Sequence, residues 1–378
     1  MRKNYLLTPG PTPLPPQISL GMARPIIHHR TPQFQAVLKE VSDGLKYVFQ
    51  TKNDVFILAS SGTGAMEAAV ANLLSTGDTA LTIQGGKFGE RWTEICQSYG
   101  ITAEVLDVEW GKVVDPEDIQ KKLKANPKIK AVFATLCETS TGVTSDIEAI
   151  AKVIKETPAV LVIDAISGLG AMDLKTDAWG CDVVVSGSQK GLMLPPGLGF
   201  ISVSPKAWKL VEAAKSPRYY FDLREAKKAL DKTDTPFTPA ITLIIALNEA
   251  LRMIKEEGLE NIFARHKKMA EATRAAVKAL GLELFAPSVS SDVVTAVKVP
   301  SGIDGEKLVK TMRDTFGVTI AGGQAELKGK VFRIAHMGFI EEFDIIVGLT
   351  CLEKVLAGMG YKFTFGAGVK AAQEVFLK

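Results

Sequence analysis

The sequence predicts an α/β protein with a large domain, built on a mostly parallel seven-stranded sheet between helices, and a smaller α+β C-terminal domain. Its 378 residues, 46% hydrophobic and 23% charged, can bury a large core and exceed the usual size of one domain. From about residue 54 to 215, short β-branched runs alternate with amphipathic helical segments. This alternation is typical of a parallel sheet covered by helices on both faces.

Seven apolar runs are the strand candidates of the large domain. They are Asp54–Leu58, Thr79–Ile83, Thr102–Val108, Lys130–Cys137, Val160–Ile166, Asp182–Val185 and Gly199–Val203. The segments between them, such as IEAIAKVIKE, have the apolar spacing of helices. Asp115 and Ser204, each before a proline, predict helix starts, and Ser145 with Glu148 predicts a capping box.

We divide the chain into an N-terminal extended segment (1–20), a large domain (21–255) and a small domain (256–378). The proline-rich first segment is expected to lie along the surface, because proline cannot donate to a central sheet or helix. A long helical stretch, about residues 242–280, is expected to bridge the domains. The predicted small-domain elements are strands Thr295–Val299, Val318–Ala321 and Lys330–Ala335, and helices Gly305–Phe316 and Glu342–Gly358.

Composition excludes several classes of partner. The 45 basic and 42 acidic residues are spread along the chain, so no basic block predicts binding to nucleic acid or membrane. The N-terminus lacks a signal-peptide pattern, and no apolar run reaches the ~20 residues that span a bilayer. We therefore expect a cytoplasmic protein whose partners are small molecules and a second copy of itself.

Metal and disulfide chemistry are not expected. The four cysteines lie far apart and form no CxxC pair, so buried free thiols are the preferred interpretation. His28 and His29 are interpreted as structural. His266 and His336 have no cysteine or aspartate at metal-ligand spacing.

Lys190 is the first candidate for chemistry. It follows an apolar strand within VVVSGSQKGLMLPPGLGF, residues 183–200, among small residues that leave room for a ligand. Partial desolvation lowers the pKa of an ammonium group, and a neutral amine can attack an aldehyde. A solvated loop lysine is the ordinary alternative, and the small neighbours of Lys190 disfavour it.

Two further elements are weaker signals when taken alone. Asp164 ends an apolar strand, where a carboxylate needs a partner; a helix cap, an ion pair or a protonated pyridine nitrogen would each serve. The segment SSGTGA leads into a helix predicted to begin near Gly64, where free amides could cradle a phosphate and Thr63 could add its hydroxyl.

Together these motifs carry a family resemblance. Asp164, SGSQK at 186–190, SGTGA at 61–65 and ETSTGV at 138–143 resemble the class V aminotransferases of pyridoxal 5'-phosphate (PLP) fold type I. TPGPTPLPP at the N-terminus, GGKFGER at 85–91 and VFRIAHMG at 331–338 are similar to the alanine–glyoxylate and serine–pyruvate aminotransferase branch. The resemblance covers nearly the whole chain.

The resemblance implies PLP as the cofactor. Lys190 would form the internal aldimine and later carry the proton, and Asp164 would pair with the pyridine nitrogen. The residues implied to bind the cofactor phosphate are Thr63, Gly64, Ala65 and Gln189.

The resemblance also implies contacts around the ring and the substrate. Phe88 would stack on the ring, Ile166 would pack on its opposite face, and Thr139 would approach its hydroxyl. Arg333 matches the arginine that grips the substrate carboxylate. Thr238 would reach the phosphate of the neighbouring subunit, which implies a homodimer with shared active sites.

One position departs from the branch. A tyrosine common three residues before Thr238 is replaced by Thr235, so phosphate anchoring from the partner is weaker or is supplied by Tyr219 or Tyr220.

The implied activity is ping-pong transamination from a small amino acid, alanine or serine, to glyoxylate or pyruvate. One alternative is a class V lyase or desulfurase, although the apolar helical setting of Cys351 disfavours a reactive thiol. A dinucleotide-dependent oxidoreductase is disfavoured because the turn is not GxGxxG and the next strand ends in Gln84. A non-catalytic accessory subunit of a redox complex remains as a third alternative, which retention of Lys190 and Asp164 disfavours.

Overall fold

The computed structural model describes residues 3–378. Its strands are β1 (Tyr5–Leu6), β2 (Val55–Leu58), β3 (Thr79–Gln84), β4 (Thr102–Asp107), β5 (Ile129–Thr135), β6 (Cys137–Glu138), β7 (Val143–Thr144), β8 (Val160–Asp164), β9 (Val183–Gly187), β10 (Gly199–Val203), β11 (Val294–Lys298), β12 (Val318–Thr319), β13 (Ala321–Gly322) and β14 (Val331–Ala335). Its α-helices are α1 (Pro16–Met22), α2 (Pro32–Phe49), α3 (Gly62–Leu73), α4 (Lys87–Ser98), α5 (Pro116–Ala125), α6 (Ile147–Lys155), α7 (Thr176–Trp179), α8 (Pro205–Ala213), α9 (Leu223–Leu230), α10 (Ile241–Glu257), α11 (Leu259–Ala279), α12 (Gly305–Phe316), α13 (Glu342–Gly358) and α14 (Ala367–Phe376).

The central sheet has seven strands in the order β2, β10, β9, β8, β5, β3, β4. Six of the strands run in one direction, and β10 runs opposite to them. All seven strand candidates are strands of this sheet, which confirms the predicted large-domain fold. Successive residues of β8 point to opposite faces, so Leu161 and Ile163 belong to one core cluster while Val160 and Val162 belong to the other.

A smaller C-terminal domain has a separate core. Its antiparallel sheet, in the order β11, β14, β13, packs with α12, α13 and α14 around buried residues that include Phe332 and Leu352. The segment Val318–Ala321, expected to be one strand, divides instead between β12 and β13, which belong to different sheets. The domain boundary near residue 255 remains a prediction.

The helical stretch expected over residues 242–280 is two helices. It is interrupted at Gly258, whose φ of 82° and ψ of 139° leave the helical region and favour glycine. This break separates α10, which contacts α1 and α2, from α11, which contacts α14 and β11.

The expectation of a purely surface-lying N-terminal segment is wrong for the described part of residues 1–20; residues 1 and 2 lie outside the described chain. The segment stays out of the central sheet, as predicted. However, β1 pairs in parallel with β12, and Leu7 and Ile18 are buried. Pro16 begins α1, since the first helical position needs no N–H donor.

Two of the three expected helix caps are confirmed. Asp115 and Ser204 are N-caps whose side chains accept backbone hydrogen bonds. The capping box expected at Ser145 and Glu148 is wrong, because Asp146 is the N-cap and accepts from the Ala149 N–H at 2.9 Å.

The four cysteines are free and buried, as predicted. Across residues 3–378 no helix combines the length and the apolar character needed to cross a membrane.

Candidate active site

Lys190 lies in the loop after β9, with 9% of its surface exposed. Its Nζ donates a hydrogen bond to the carbonyl oxygen of Pro9, and its own carbonyl oxygen accepts from Thr12 Oγ1 at 3.1 Å. Burial lowers the pKa of Lys190 to about 8, although the negative charge of Asp164 opposes this shift. The amine is therefore neutral in a much larger fraction of molecules than a solvated lysine is at the same pH.

Asp164 is the last residue of β8 and is buried. Its Oδ1 accepts from the Ile166 N–H at 2.8 Å. Burial raises the pKa of Asp164 to about 7, while that hydrogen bond and the charge of Lys190 oppose the rise. Because β8 and β9 are neighbouring parallel strands, Asp164 and Lys190 both lie at the carboxyl edge of the sheet, where open α/β sheets bind ligands.

The glycine-rich turn begins α3 at Gly62, two residues earlier than expected. Within residues 3–378, no acceptor is found for the backbone N–H groups of Gly62 and Thr63. Those of Gly64 and Ala65 donate to the Ser61 carbonyl oxygen at 3.0 and 3.3 Å. The free donors of the first helical turn are therefore those of Gly62 and Thr63.

The buried carboxylate of Glu138 links Phe88 to Ser140, the residue that follows Thr139. One oxygen of Glu138 accepts from the N–H groups of Phe88 and Gly89 at 3.0 and 2.9 Å. The other accepts from the N–H and Oγ of Ser140 at 3.2 and 2.5 Å. Burial raises the pKa of Glu138, and these hydrogen bonds oppose the rise. Glu138 thus joins the start of α4 to the loop that carries Thr139.

Arg333 reaches the same loop from the small-domain strand β14. It is 4% exposed, and its Nη1 donates to the Thr139 carbonyl oxygen at 2.7 Å. Its Nε and Nη2 donate to the Gly322 carbonyl oxygen at 3.0 and 2.7 Å. Burial lowers the pKa of Arg333 to about 10, and the charge of Glu138 opposes that shift.

The remaining candidate residues are Ile166, Gln189 and Thr238, and not all of them lie near Lys190 and Asp164. A Cβ added at Gly62 would lie 2.6 Å from Ile166 Cδ1, so Ile166 packs against the glycine turn. Gln189 adjoins Lys190, and its Oε1 is buried without a hydrogen-bond partner among the described residues. Thr238 is exposed and is not brought into the site within one chain. Its partner-subunit role stays a prediction.

Several neighbours of the site were not predicted. Pro9, Gly10 and Thr12 contact Lys190 across about 180 residues of sequence, a separation that no local pattern reveals. Glu138 lies within a motif quoted for the resemblance, but nothing in the motif indicates its four hydrogen bonds. The sequence could have indicated Arg91 as a neighbour of the site, because Arg91 follows Phe88 by three residues on a predicted helix and lies on the same face.

Metal-dependent chemistry and thiolate chemistry have less support than chemistry at Lys190. Within residues 3–378 no group of three His, Cys, Asp or Glu side chains is arranged to hold a metal ion. Cys351 is buried as predicted, and burial raises the pKa of its thiol to about 11, which disfavours a reactive thiolate.

Comparison with known proteins places the chain in a family. The Aminotransferase class-V profile matches residues 5–337. A crystal structure of ureidoglycine-glyoxylate aminotransferase from Bacillus subtilis superposes with a TM-score of 0.95 at 32% identity, covering 100% of this chain and 99% of that one. The chain therefore belongs to the class V aminotransferases, with the fold of PLP fold type I.

Among curated relatives, the names differ. The chain is 48% identical to the "Soluble hydrogenase 42 kDa subunit" of Anabaena cylindrica, over 99% of both chains. It is 40% identical to the L-aspartate--glyoxylate aminotransferase of Paracoccus denitrificans, over 98% of this chain and 96% of that protein. It is 39% identical to the serine--glyoxylate aminotransferase of Methylorubrum extorquens, over 98% and 95%. The last two share the oxo acid in their names and differ in the amino donor.

Proposed function

We propose that this chain is a PLP-dependent aminotransferase that moves the amino group of alanine or serine to glyoxylate or pyruvate in a ping-pong reaction. The observation that carries the proposal is the pair formed by Lys190 and Asp164. Both side chains are buried at the carboxyl edge of the sheet, and each shifts the pKa of the other. A basic amine and an acid held together in this way suit proton transfer near neutral pH.

The residues present fit PLP. Thr139 Oγ1, Ser186 Oγ and Gln189 Oε1 are buried polar atoms without hydrogen-bond partners among residues 3–378. Such atoms are costly unless a ligand or water satisfies them. The free N–H groups of Gly62 and Thr63 at the start of α3 suit a phosphate group. Gln189 and the first residues of α3 would therefore hold the phosphate, and Thr139 would bind a polar substituent of the ring.

When bound, PLP supplies an aldehyde and a pyridine ring that draws electron density from the α-carbon of an amino acid. Lys190, with its lowered pKa, would hold the cofactor through Nζ and, once free, would move a proton at that atom. Asp164, whose pKa burial raises to about 7, would pair with the pyridine nitrogen and, as the ionised carboxylate, would favour the protonated form of that nitrogen. Phe88 and Ile166 would pack on the two faces of the ring.

Arg333 supports a carboxylate-bearing substrate. The planar guanidinium of Arg333 suits a bidentate ion pair with a carboxylate. It donates a hydrogen bond to the backbone carbonyl oxygen of Thr139, the residue whose side chain would bind the ring substituent. The relatives' names support glyoxylate as the acceptor. The serine named for the Methylorubrum extorquens protein supports a small donor, whereas the aspartate of the Paracoccus denitrificans protein makes a dicarboxylic donor the competitor to test.

The proposed assembly is a cytoplasmic homodimer with shared active sites. Tyr219 is 81% exposed and lies beside Tyr220 and Phe237, and Thr238 follows directly in the chain. Exposed aromatic side chains of this kind are enriched where proteins associate. This supports an interface next to Thr238.

A half-reaction screen tests the proposal. Purified holoenzyme is mixed with single amino acids, and conversion of bound PLP to pyridoxamine phosphate is followed by absorbance. Alanine or serine should convert it fastest, and glyoxylate or pyruvate should restore the starting spectrum. Lys190→Ala should bind cofactor without the absorbance band of a lysine linkage, while Lys152→Ala, an exposed helical lysine, should behave as wild type. If none of the amino acids converted the bound PLP to pyridoxamine phosphate, the assignment would be contradicted.

A non-catalytic accessory subunit is the second candidate, favoured by the name of the Anabaena cylindrica relative. The retained Lys190–Asp164 pair argues against loss of chemistry. Copurification from the native cell distinguishes the two: an obligate heteromeric partner without bound PLP favours the accessory subunit, and a PLP-loaded homodimer favours the enzyme.

A further inference from the structure

We propose that Arg91 is a phosphate ligand of this site; the inference rests on the proposed PLP-dependent function. Arg91 lies one helical turn after Phe88 on α4, so the two side chains share a face. Its guanidinium lies 4.9 Å from the centroid of the Phe88 ring, and its Nη1 donates to Thr63 Oγ1 at 3.2 Å. Arg91 thus connects the predicted stacking ring with the first turn of α3.

Hydrogen-bond donors exceed acceptors at this point of the structure. Apart from the bond to Thr63, the guanidinium of Arg91 finds no hydrogen-bond acceptor within residues 3–378, and it forms no ion pair there. The neighbouring N–H groups of Gly62 and Thr63 are also free. Arg91 is half-buried and Thr63 is exposed, so an anion can reach these unpaired donors from solvent and take all of them as partners.

The charge of Arg91 lowers the pKa of Asp164, although the two form no ion pair among residues 3–378, and two further carboxylates near Arg91 are engaged elsewhere. Glu67, on α3, accepts from the Tyr99 hydroxyl at 2.8 Å. Glu90, next to Arg91 on α4, pairs with Lys87 at 2.5 Å. The protein itself therefore does not supply the missing anion from these two positions.

A phosphate monoester suits the cluster better than a substrate carboxylate. The donors converge on the N-terminus of α3, whose dipole favours negative charge. A dianionic phosphate has three acceptor oxygens for the amides, the Thr63 hydroxyl and the fork of Arg91. Arg333, which unlike Arg91 is buried, lies against Thr139 and is the candidate for the substrate carboxylate.

The test compares two cofactor forms that differ only in the phosphate. The affinity of apoenzyme for PLP and for pyridoxal is measured by absorbance titration for wild type, Arg91→Met and Arg91→Lys. Losing a charge-assisted interaction should weaken PLP binding by about 10- to 100-fold in Arg91→Met and leave pyridoxal binding unchanged. Arg91→Lys keeps the charge without the fork and should show a smaller loss. Arg24→Met, at an exposed loop arginine, serves as the matched control.

The outcomes separate this inference from the proposed function. An unchanged ratio of PLP to pyridoxal affinity in Arg91→Met overturns the phosphate assignment. Equal weakening of both ligands also overturns it, because it indicates an effect through Phe88 rather than the phosphate. If Arg91→Met does not fold, the ratio of PLP to pyridoxal affinity is compared between Arg91→Lys and wild type. An unchanged ratio there overturns the phosphate assignment. Wild-type apoenzyme that binds neither ligand would contradict the PLP assignment itself, and this inference with it.

Discussion

The guanidinium of Arg333 donates a hydrogen bond to the backbone oxygen of Thr139 at 2.7 Å, across 194 residues of sequence. Arg333 belongs to the small-domain sheet, and Thr139 belongs to the loop that Glu138 ties to α4. The side chain proposed to bind the substrate and the loop proposed to contact the cofactor therefore meet at one hydrogen bond. Any ligand that draws Arg333 toward it will also pull on the loop of Thr139.

Replacing Arg333 by lysine should damage substrate binding more than cofactor binding. A lysine cannot donate to the Thr139 and Gly322 carbonyls with the same fork, and it loses bidentate pairing with a carboxylate. We expect KM for the amino donor to rise about 10- to 100-fold. Steady-state kinetics check this, with Arg313→Lys, at an exposed helical position, as control. An unchanged KM would remove Arg333 from the substrate site.

The covalent capture of PLP by apoenzyme should depend on pH through Lys190. The attacking species is the neutral amine, and burial lowers the pKa of Lys190 to about 8. The rate should rise about tenfold per pH unit below this value and level off above it. Stopped-flow absorbance at fixed PLP concentration measures it. A rate that keeps rising toward pH 10 would indicate an ordinary, solvated lysine.

Gly10 should tolerate no side chain. A Cβ there would lie 2.5 Å from Lys190 Cε and Nζ, and the φ of Gly10 is 113°. Gly302 has a positive φ of 82° and nothing within 4 Å of an added Cβ. Gly10→Ala and Gly302→Ala should both lose about 1–3 kcal/mol of folding free energy to backbone strain. Only Gly10→Ala should also slow PLP capture, because only its methyl group displaces the lysine.

Comparison of the two alanine variants by thermal unfolding and capture kinetics separates strain from the contact with Lys190. Equal capture rates in both would show that the N-terminal segment does not constrain the lysine.

Glu138→Gln should destabilise the protein and loosen the cofactor. The carboxylate accepts four hydrogen bonds. The NH₂ group of glutamine would face either the N–H groups of Phe88 and Gly89 or the N–H and hydroxyl of Ser140, and at least one N–H would lose its acceptor. An unsatisfied buried donor costs about 1–3 kcal/mol. We expect a lower unfolding midpoint and weaker PLP binding, because Phe88 and Thr139 lose their common support. Glu148→Gln, on an exposed helical face, should change neither.

The order of the central-sheet strands in the chain, the candidate lysine and the terminal aspartate of β8 could all be predicted from local signals. Apolar alternation reports which segments enter a sheet, and a charged residue ending such a run marks the ligand-binding edge. The wrong predictions also have physical causes. A glycine with positive φ divides one apparent helix into α10 and α11, and Pro16 begins a helix where proline was expected to prevent one.

The sequence by itself determined the family and the fold class and indicated the candidate residues of the site, because these depend on patterns within short segments. Only the tertiary structure decided that Pro9 accepts from Lys190, that Glu138 joins Phe88 to Ser140, and that Arg91 reaches Thr63. These contacts connect segments distant in sequence through burial and hydrogen bonding. They form only when those separate segments are packed against one another.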